Sequence, residues 1–273
     1  ISDVQIYPDV DLNEVKVVVN VFAETKSKYE LSIKRSIYAD EDSELANVSC
    51  KGTLSIGNNE IELTMDMGEN PHLWSEFHPD LYSLSVSLSS RGGNDEVKRL
   101  FGMRKFGVEG TQFVINGNKT FLRGTHDGCV FPLTGYCPAD VEEWRRIFRI
   151  AKEYGINHYR FHSYTPTEAA FQAADEEGIY LHTELPMWGT IDSTTVELND
   201  YLKTLAHDVL MDFGNHPSFF GLGLGNELWG DNGMMKAWLD EFRDMDPRHL
   251  YSQGSNNDLG WKGAKVDGED FYI

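Results

Sequence analysis

A carboxylate beside an amide, placed where an apolar run ends, is the pairing in this sequence best suited to chemistry. The run is Phe219-Phe220-Gly221-Leu222-Gly223-Leu224-Gly225, followed by Asn226, Glu227 and, two residues on, Trp229. A buried strand of a parallel sheet has this composition, continuously apolar rather than alternating. In barrels and doubly wound sheets the ligand sits at the carboxyl ends of such strands. Glu227 there could give and take a proton, with Asn226 as a hydrogen-bonding neighbour. From the residues alone a second reading stays open, because an acid leading into the next helix is favourable in its own right. Three alternating glycines also suggest a dinucleotide loop, but that frame requires glycine at Asn226 or Leu228.

Polar residues recur at the ends of the preceding strand-like segments. His126 and Asp127 close the first, Arg160 and His162 the second, and Glu184 the third. Arg160 and His162 are two apart and so share one face of a strand. Polar groups on the inner face of a barrel end are costly unless paired or used. One alone reads as a satisfied core histidine or ion pair; seven at corresponding ends read as a site. Trp188 and Trp229, after the third and fourth strands, suit the apolar faces of sugar rings, with a place in the core as the alternative. Metal-dependent barrel hydrolases need two histidines one residue apart on the first strand, and Thr125-His126-Asp127 has one. No metal and no cofactor is therefore assigned, a His/Asp/Glu set remaining as the weaker alternative.

The elements that must position these residues follow from pattern. Asp140 can cap a helix with Glu143 as its capping-box partner, and Val141, Trp144, Ile147, Phe148 and Ala151 recur at helical spacing until Gly155. Strands are expected at His158–Ser163, Ile179–Glu184, the Phe219 run and Leu250–Gly254, with Asp270–Ile273 as a possible start of a sixth. A second helix opens at Thr165-Pro166-Thr167-Glu168, with proline at the first helical position, and closes at Gly178. Others are expected from about Asn199 to Phe213 and from Asp231 to Asp244. Repeated βα units imply a parallel sheet with right-handed crossovers. Ahead of them, Phe113–Leu122 reads as a hairpin turning at Asn116-Gly117. Residues before about Leu100 are all β, with alternation at Val15–Val21, Tyr29–Ile33, Ile61–Met65 and Tyr82–Leu88 and turns at Gly57-Asn58-Asn59 and Arg91–Asn94. They suggest a sandwich of immunoglobulin size.

Composition narrows the ligand. Forty-four acidic against 24 basic residues give a net charge of −20, which excludes a nucleic-acid or anionic-membrane surface. No run approaches a transmembrane span. The odd count of three cysteines, Cys50, Cys129 and Cys137, without C-x-x-C spacing, argues against a disulfide framework or zinc knuckle. The chain begins at Ile1, so it is expected to be processed or excised, and the compartment stays open between cytoplasmic and extracytoplasmic.

A set of motifs adds a resemblance. His72-Leu73-Trp74-Ser75 through Pro79-Asp80-Leu81-Tyr82 is similar to "LWSP…P.LY.L". Phe101-Gly102-Met103-Arg104, Phe113-Val114-Ile115-Asn116-Gly117 and Phe121-Leu122-Arg123-Gly124 resemble "FG.R…F.ING…LRG". Asn215-His216-Pro217-Ser218 and Gly225-Asn226-Glu227 resemble "NHPS…GNE". In this order they are the motifs of glycoside hydrolase family 2, the β-galactosidases, β-glucuronidases and β-mannosidases, and the resemblance covers nearly the whole chain.

The resemblance implies a multidomain β and α/β chain: an immunoglobulin-like β-sandwich at 1–107, then a partial (β/α)8 TIM barrel at 108–273, truncated after about five or six strands. It implies an exo-acting, retaining glycosidase cleaving terminal β-linked sugars, whose two carboxyl groups stand about 5 to 5.5 Å apart. Glu227 matches the general acid/base, Asn226 the amide that bonds the sugar 2-hydroxyl, and Arg160 a second-strand arginine with a structural or nucleophile-orienting role. Asp127, His126, His162, Glu184, Trp188 and Trp229 are expected to bind substrate. The family's nucleophile lies on a seventh strand, so none is expected in this chain, which alone should be nearly inactive. The β-galactosidase branch holds magnesium after the third strand; here Leu185-Pro186-Met187-Trp188-Gly189 stands instead, and the metal is not carried over. The expected partner is a β-glycoside, oligosaccharide or polysaccharide, and bare barrel edges would allow a homo-oligomer. The alternative is a non-catalytic carbohydrate-binding or scaffold protein on the same fold.

Overall fold

The computed structural model describes residues 1–40, 43, 45–255 and 267–272. The chain forms two compact units, Ile1–Lys105 and Phe106–Ile273. The first contains β1 (Asp3–Asp9), β2 (Glu14–Ala23), β3 (Ser27–Ile37), β4 (Ala46–Leu54), β5 (Gly57–Asp66), β6 (Tyr82–Ser90) and β7 (Gly93–Phe101). They make a β-sandwich of two sheets, in the orders β1-β2-β5 and β4-β3-β6-β7. All pairings are antiparallel. Alternation sends Val15, Val17, Val19 and Val21 from one sheet and Leu31, Ile33, Leu84 and Val86 from the other into a shared core.

The four segments whose alternation is legible lie within β2, β3, β5 and β6. The other three carry a weaker pattern: β4 and β7 are edges that bury one residue each, and β1 buries Val4, Gln5 and Ile6 in a row without alternating. On β7, Asn94, Asp95, Glu96, Lys98 and Arg99 are exposed, a charged edge of the kind that blocks further pairing. Gly57-Asn58-Asn59 is not the turn itself but the first part of β5. Asn59 holds the preceding turn from within the strand, its Oδ1 accepting from Ser55 N (2.7 Å) and its Nδ2 donating to Ser55 O (2.9 Å).

The second unit opens with an antiparallel sheet of β8 (Phe106–Glu109), β9 (Gln112–Ile115) and β10 (Asn118–Thr120), in the order β10-β9-β8. Asn116 (φ 51°) and Gly117 (φ 78°) supply the left-handed turn between β9 and β10. Strands and helices then alternate: β11 (Gly124–Asp127), α1 (Val141–Glu153), β12 (His158–Phe161), α2 (Glu168–Glu177), β13 (Tyr180–Glu184), β14 (Trp188–Ile191), α3 (Val196–Phe213), β15 (Phe219–Gly223), β16 (Asn226–Gly230), α4 (Asn232–Met245) and β17 (Leu250–Ser252). Five of these strands form one parallel sheet in the order β11-β12-β13-β15-β17, which is also their order in the chain. The remaining two, β14 and β16, make a separate parallel pair.

Local signals differ from expectation in four places. Asp140 caps α1 by accepting from Glu142 N (3.0 Å), while Glu143 turns to Arg146 and completes no capping box. Thr167 is the N-cap of α2, so Pro166 precedes the cap and is not the first helical residue. Helix α3 starts at Val196, three residues before Asn199, whose Nδ2 instead reaches Asp192 O (2.7 Å). Residues 270–272 form no strand, and Ile273 lies outside the described residues. Asp270 instead hydrogen-bonds both backbone groups of Tyr251, its N donating to Tyr251 O and its Oδ2 accepting from Tyr251 N, each at 2.8 Å. That cover accounts for part of the β17 edge that was expected to be bare. Among the described residues no helix is long and apolar enough to cross a membrane.

The parallel sheet has two unlike faces. Tyr159, Phe161, Leu181, Phe219, Leu222 and Tyr251 join Trp144, Phe148, Phe171, Leu210 and Phe242 of the helices in one core. A register shift between Leu181 and His182 makes Phe220 an extra residue on β15. It meets Phe106, Phe113 and Phe271 at ring-centroid distances of 4.8, 5.8 and 5.6 Å, and His158 at 5.4 Å. His158 and His182 stack at 6.4 Å within this layer, and His158 Nε2 and both ring nitrogens of His182 have no hydrogen-bond partner among the described residues.

Burial, with a smaller contribution from Arg160, pushes His158 down from 6.5 to about 3. Burial, then His158 and Arg160, also holds His182 well below its ordinary value. Both rings are thus neutral when folded and free to protonate when unfolded, so the unfolded chain binds more protons below pH 6.5. Their contribution to stability is complete above that pH and is lost as pH falls, for His158 down to about 3. Urea unfolding from pH 7 to 4 is expected to lose up to about 1 kcal/mol per pH unit for each histidine, and His182→Leu to flatten the slope.

Candidate active site

Glu184 ends β13 with no solvent exposure. An isolated carboxylate there would be strongly disfavoured, and three donors satisfy it. Its Oε1 accepts from Arg160 Nε (2.8 Å) and from Ser255 Oγ (3.0 Å), and its Oε2 accepts from Ser163 N (2.7 Å). Ser163 adopts φ 58°, unusual for a residue other than glycine, and this turn after β12 aims its N–H at the carboxylate. Arg160 has donors to spare, and its second terminal nitrogen reaches Asn226 Oδ1 at 2.7 Å. With the carbonyl oxygen taken, the Nδ2 end of Asn226 is the donor left to a ligand.

The expectation that Asn226 and Glu227 end the fourth strand needs correction. The strand β15 stops at Gly223. Gly225, at φ 152°, then crosses close to the loop after β13, where an added Cβ would lie 2.2 Å from Met187 O. Only glycine fits that approach. Asn226 N donates to Met187 O (3.0 Å) and Glu227 N to Ser255 O (2.8 Å), so both residues begin β16 instead. Glu227 itself has φ 51°. Helix α4 starts at Asn232 with Asp231 as its cap, Oδ1 accepting from Met234 N (3.0 Å), which removes the reading of Glu227 as a helix-start acid.

Glu227 Oε2 accepts from Trp188 Nε1 at 2.8 Å. The Trp188 ring meets His162 edge-on at 5.2 Å, and His162 lies 6.0 Å from His126. The structure therefore joins seven of the nine expected residues in two sets: Arg160, Glu184 and Asn226, and His126, His162, Trp188 and Glu227. Asp127 serves its own turn, Oδ1 accepting from Cys129 N (2.8 Å). Trp229 is half-exposed on β16 opposite Thr190, and no hydrogen bond or ring contact among the described residues joins it to either set. Ser163 and Ser255 were missed, the first because it acts through its backbone, the second because no motif marks the turn after β17. Among the described residues no three His, Cys, Asp or Glu side chains gather closely enough to hold a metal ion.

The model of the family described as glycosyl hydrolases family 2 matches residues 1–104. The chain is also 30% identical over 207 residues to a β-galactosidase of Lactococcus lactis subsp. lactis, covering 70% of this chain and 20% of that protein. The chain belongs to glycosyl hydrolase family 2. A β-glucuronidase of Paenibacillus borealis is 31% identical over 203 residues, 66% of this chain and 33% of its own length. Family 2 members of known structure share the fold: Bacteroides uniformis β-glucuronidase 2 superposes with a TM-score of 0.78 at 19% identity, over 99% of this chain and 35% of that one. The chain thus spans 20–35% of the length of these relatives.

Within this family 2 chain the buried Arg160–Glu184 pair is a contact sensitive to substitution. Arg160→Met leaves Glu184 charged, buried and short of a donor, and is expected to cost about 3–5 kcal/mol in denaturant unfolding. Adding Glu184→Gln should recover part of that loss, read as a coupling energy in the double-mutant cycle.

Proposed function

We propose that this chain carries the proton-donating half of a retaining β-glycosidase site. In this reading the sandwich is an immunoglobulin-like domain at 1–107, and residues 108–273 are the first part of a (β/α)8 barrel. Five parallel strands in chain order, the first four each followed by a helix or helix-bearing connection, support the barrel. The observation that carries the function is the Arg160 bridge, which holds Glu184 and Asn226 together at the carboxyl ends of the strands, with Glu227 next in the chain.

Each group then has a task. Asn226, anchored through its carbonyl oxygen, presents Nδ2 to a sugar hydroxyl, the 2-hydroxyl by resemblance. Glu227 protonates the departing glycosidic oxygen and later takes a proton from the incoming water. Glu184 does not attack the anomeric carbon, since both of its oxygens are occupied and it has no exposure. The attacking carboxylate is assigned to a residue outside this constellation. Trp188, His126 and His162 form the wall against which the sugar rests, and Trp229, half-exposed on β16, stands apart from it as a further surface for the ligand. The relatives' names point to terminal β-linked galactose or glucuronic acid as the sugar to try first.

In the protein as its full reading frame encodes it, Glu227→Gln should lower kcat/KM about 10²- to 10⁴-fold on glycosides with poor leaving groups, and far less on activated aryl glycosides. An unchanged rate would remove Glu227 from the chemistry, and no turnover by the parent protein would leave a carbohydrate-binding protein as the better reading. A polypeptide of these 273 residues alone should give no steady turnover of an aryl β-glycoside. Turnover at the full-length rate would contradict the placing of the nucleophile elsewhere.

A further inference from the structure

The contact between Trp188 and Glu227 gives the indole a role beyond a wall for sugar. Its Nε1–H donates to Glu227 Oε2 at 2.8 Å. An indole N–H can only donate and does not titrate, so the bond is worth more to a carboxylate than to a carboxylic acid. It also restricts rotation of the Glu227 carboxyl group, whose backbone is already turned by a left-handed φ of 51°.

The surrounding structure aims the indole edge. β14 and β16 pair in parallel with Trp188 opposite Asn226, one residue from Glu227, and the register then shifts between Trp188 and Thr190. The Asn226 N to Met187 O bond fixes the backbone just before Trp188. Gly189, at φ 139°, lets the chain turn just after it. On its other side the ring is braced edge-on by His162 at 5.2 Å. A side chain 61% exposed needs none of this to satisfy the core.

We propose that Trp188 is the positioning residue of the proton donor: its N–H holds the Glu227 carboxyl group in one orientation and stabilises the anion formed once the proton has moved to the leaving oxygen. This rests on the reading of Glu227 as general acid. No bond to Trp188 is made or broken, and the proton passes from Glu227 to the glycosidic oxygen.

Trp188→Phe keeps an aromatic face and removes the N–H, and at an exposed position it leaves folding intact. In the full-length protein it should lower kcat/KM about ten- to a hundredfold for poor leaving groups, and several-fold less for activated aryl glycosides. A loss equal for all leaving groups would make Trp188 a stacking wall only and overturn the proposal. The bond itself is tested without activity: in this chain labelled with 15N-tryptophan, the indole signal that disappears in Trp188→Phe should shift in Glu227→Ala. An unmoved signal would overturn the proposal even if Glu227 is catalytic. A moved signal with full activity in Glu227→Gln would refute the functional reading and leave the contact standing.

Discussion

The carboxyl ends of the parallel strands depend on one buried ion pair, Arg160 with Glu184, 2.8 Å apart on neighbouring strands. A carboxylate with no exposure is tolerated only with several donors, and Arg160, Ser163 and Ser255 provide them. A lysine could neutralise Glu184 as a point charge. It has no planar fork with which to hold Glu184 through Nε and Asn226 through a terminal nitrogen at once. The pair is therefore a joint tying β12 and β13 to the start of β16, and its value lies in position more than in net stabilisation.

From that joint the geometry of Glu227 follows. Asn226 is pinned by its side chain to Arg160 and by its backbone to Met187, and Gly225 brings the chain close enough for both. Glu227 follows Asn226 directly, and Trp188 receives it from the neighbouring strand. The inner face below is filled by Phe220, Phe106, Phe113 and the two neutral histidines. Aromatic packing thus sits beneath a polar rim, an arrangement consistent with a rigid floor under a polar ligand.

Much of this was legible from residue pattern, for identifiable reasons. Apolar periodicity, caps and glycine stops located the first three of the four helices among the described residues, a fourth being expected at Asp231–Asp244 without a glycine stop, and Asn116-Gly117 located its hairpin, because such signals rest on local backbone preferences. The strands β2, β3, β6 and the edge strand β5 were legible and β7 was not, since alternation reports burial and β7 buries little. Type and strand-end position drew notice to Arg160 and Glu184, while Asn226 and Glu227 were singled out by type although they begin β16 and end no strand. Sequence could not show that the strand would break at Gly225 and restart in β16, because the break depends on Met187, which approaches from a different loop. Nor could it assign Trp188 a donor role, as the direction of an indole edge is decided by tertiary contacts. Asp127 had the right residue type and strand-end place, yet its oxygen caps its own turn.

The most direct measurement of the role given to Glu227 is chemical rescue. The full-length protein bearing Glu227→Gly would be given an activated aryl β-glycoside, with and without azide, and the product configuration read by NMR. A general acid/base at this position predicts that azide restores turnover and that the product is the β-glycosyl azide, formed by attack on a glycosyl-enzyme intermediate. No rescue, or an α-glycosyl azide, would contradict it, the latter by making Glu227 the attacking carboxylate instead of the proton donor.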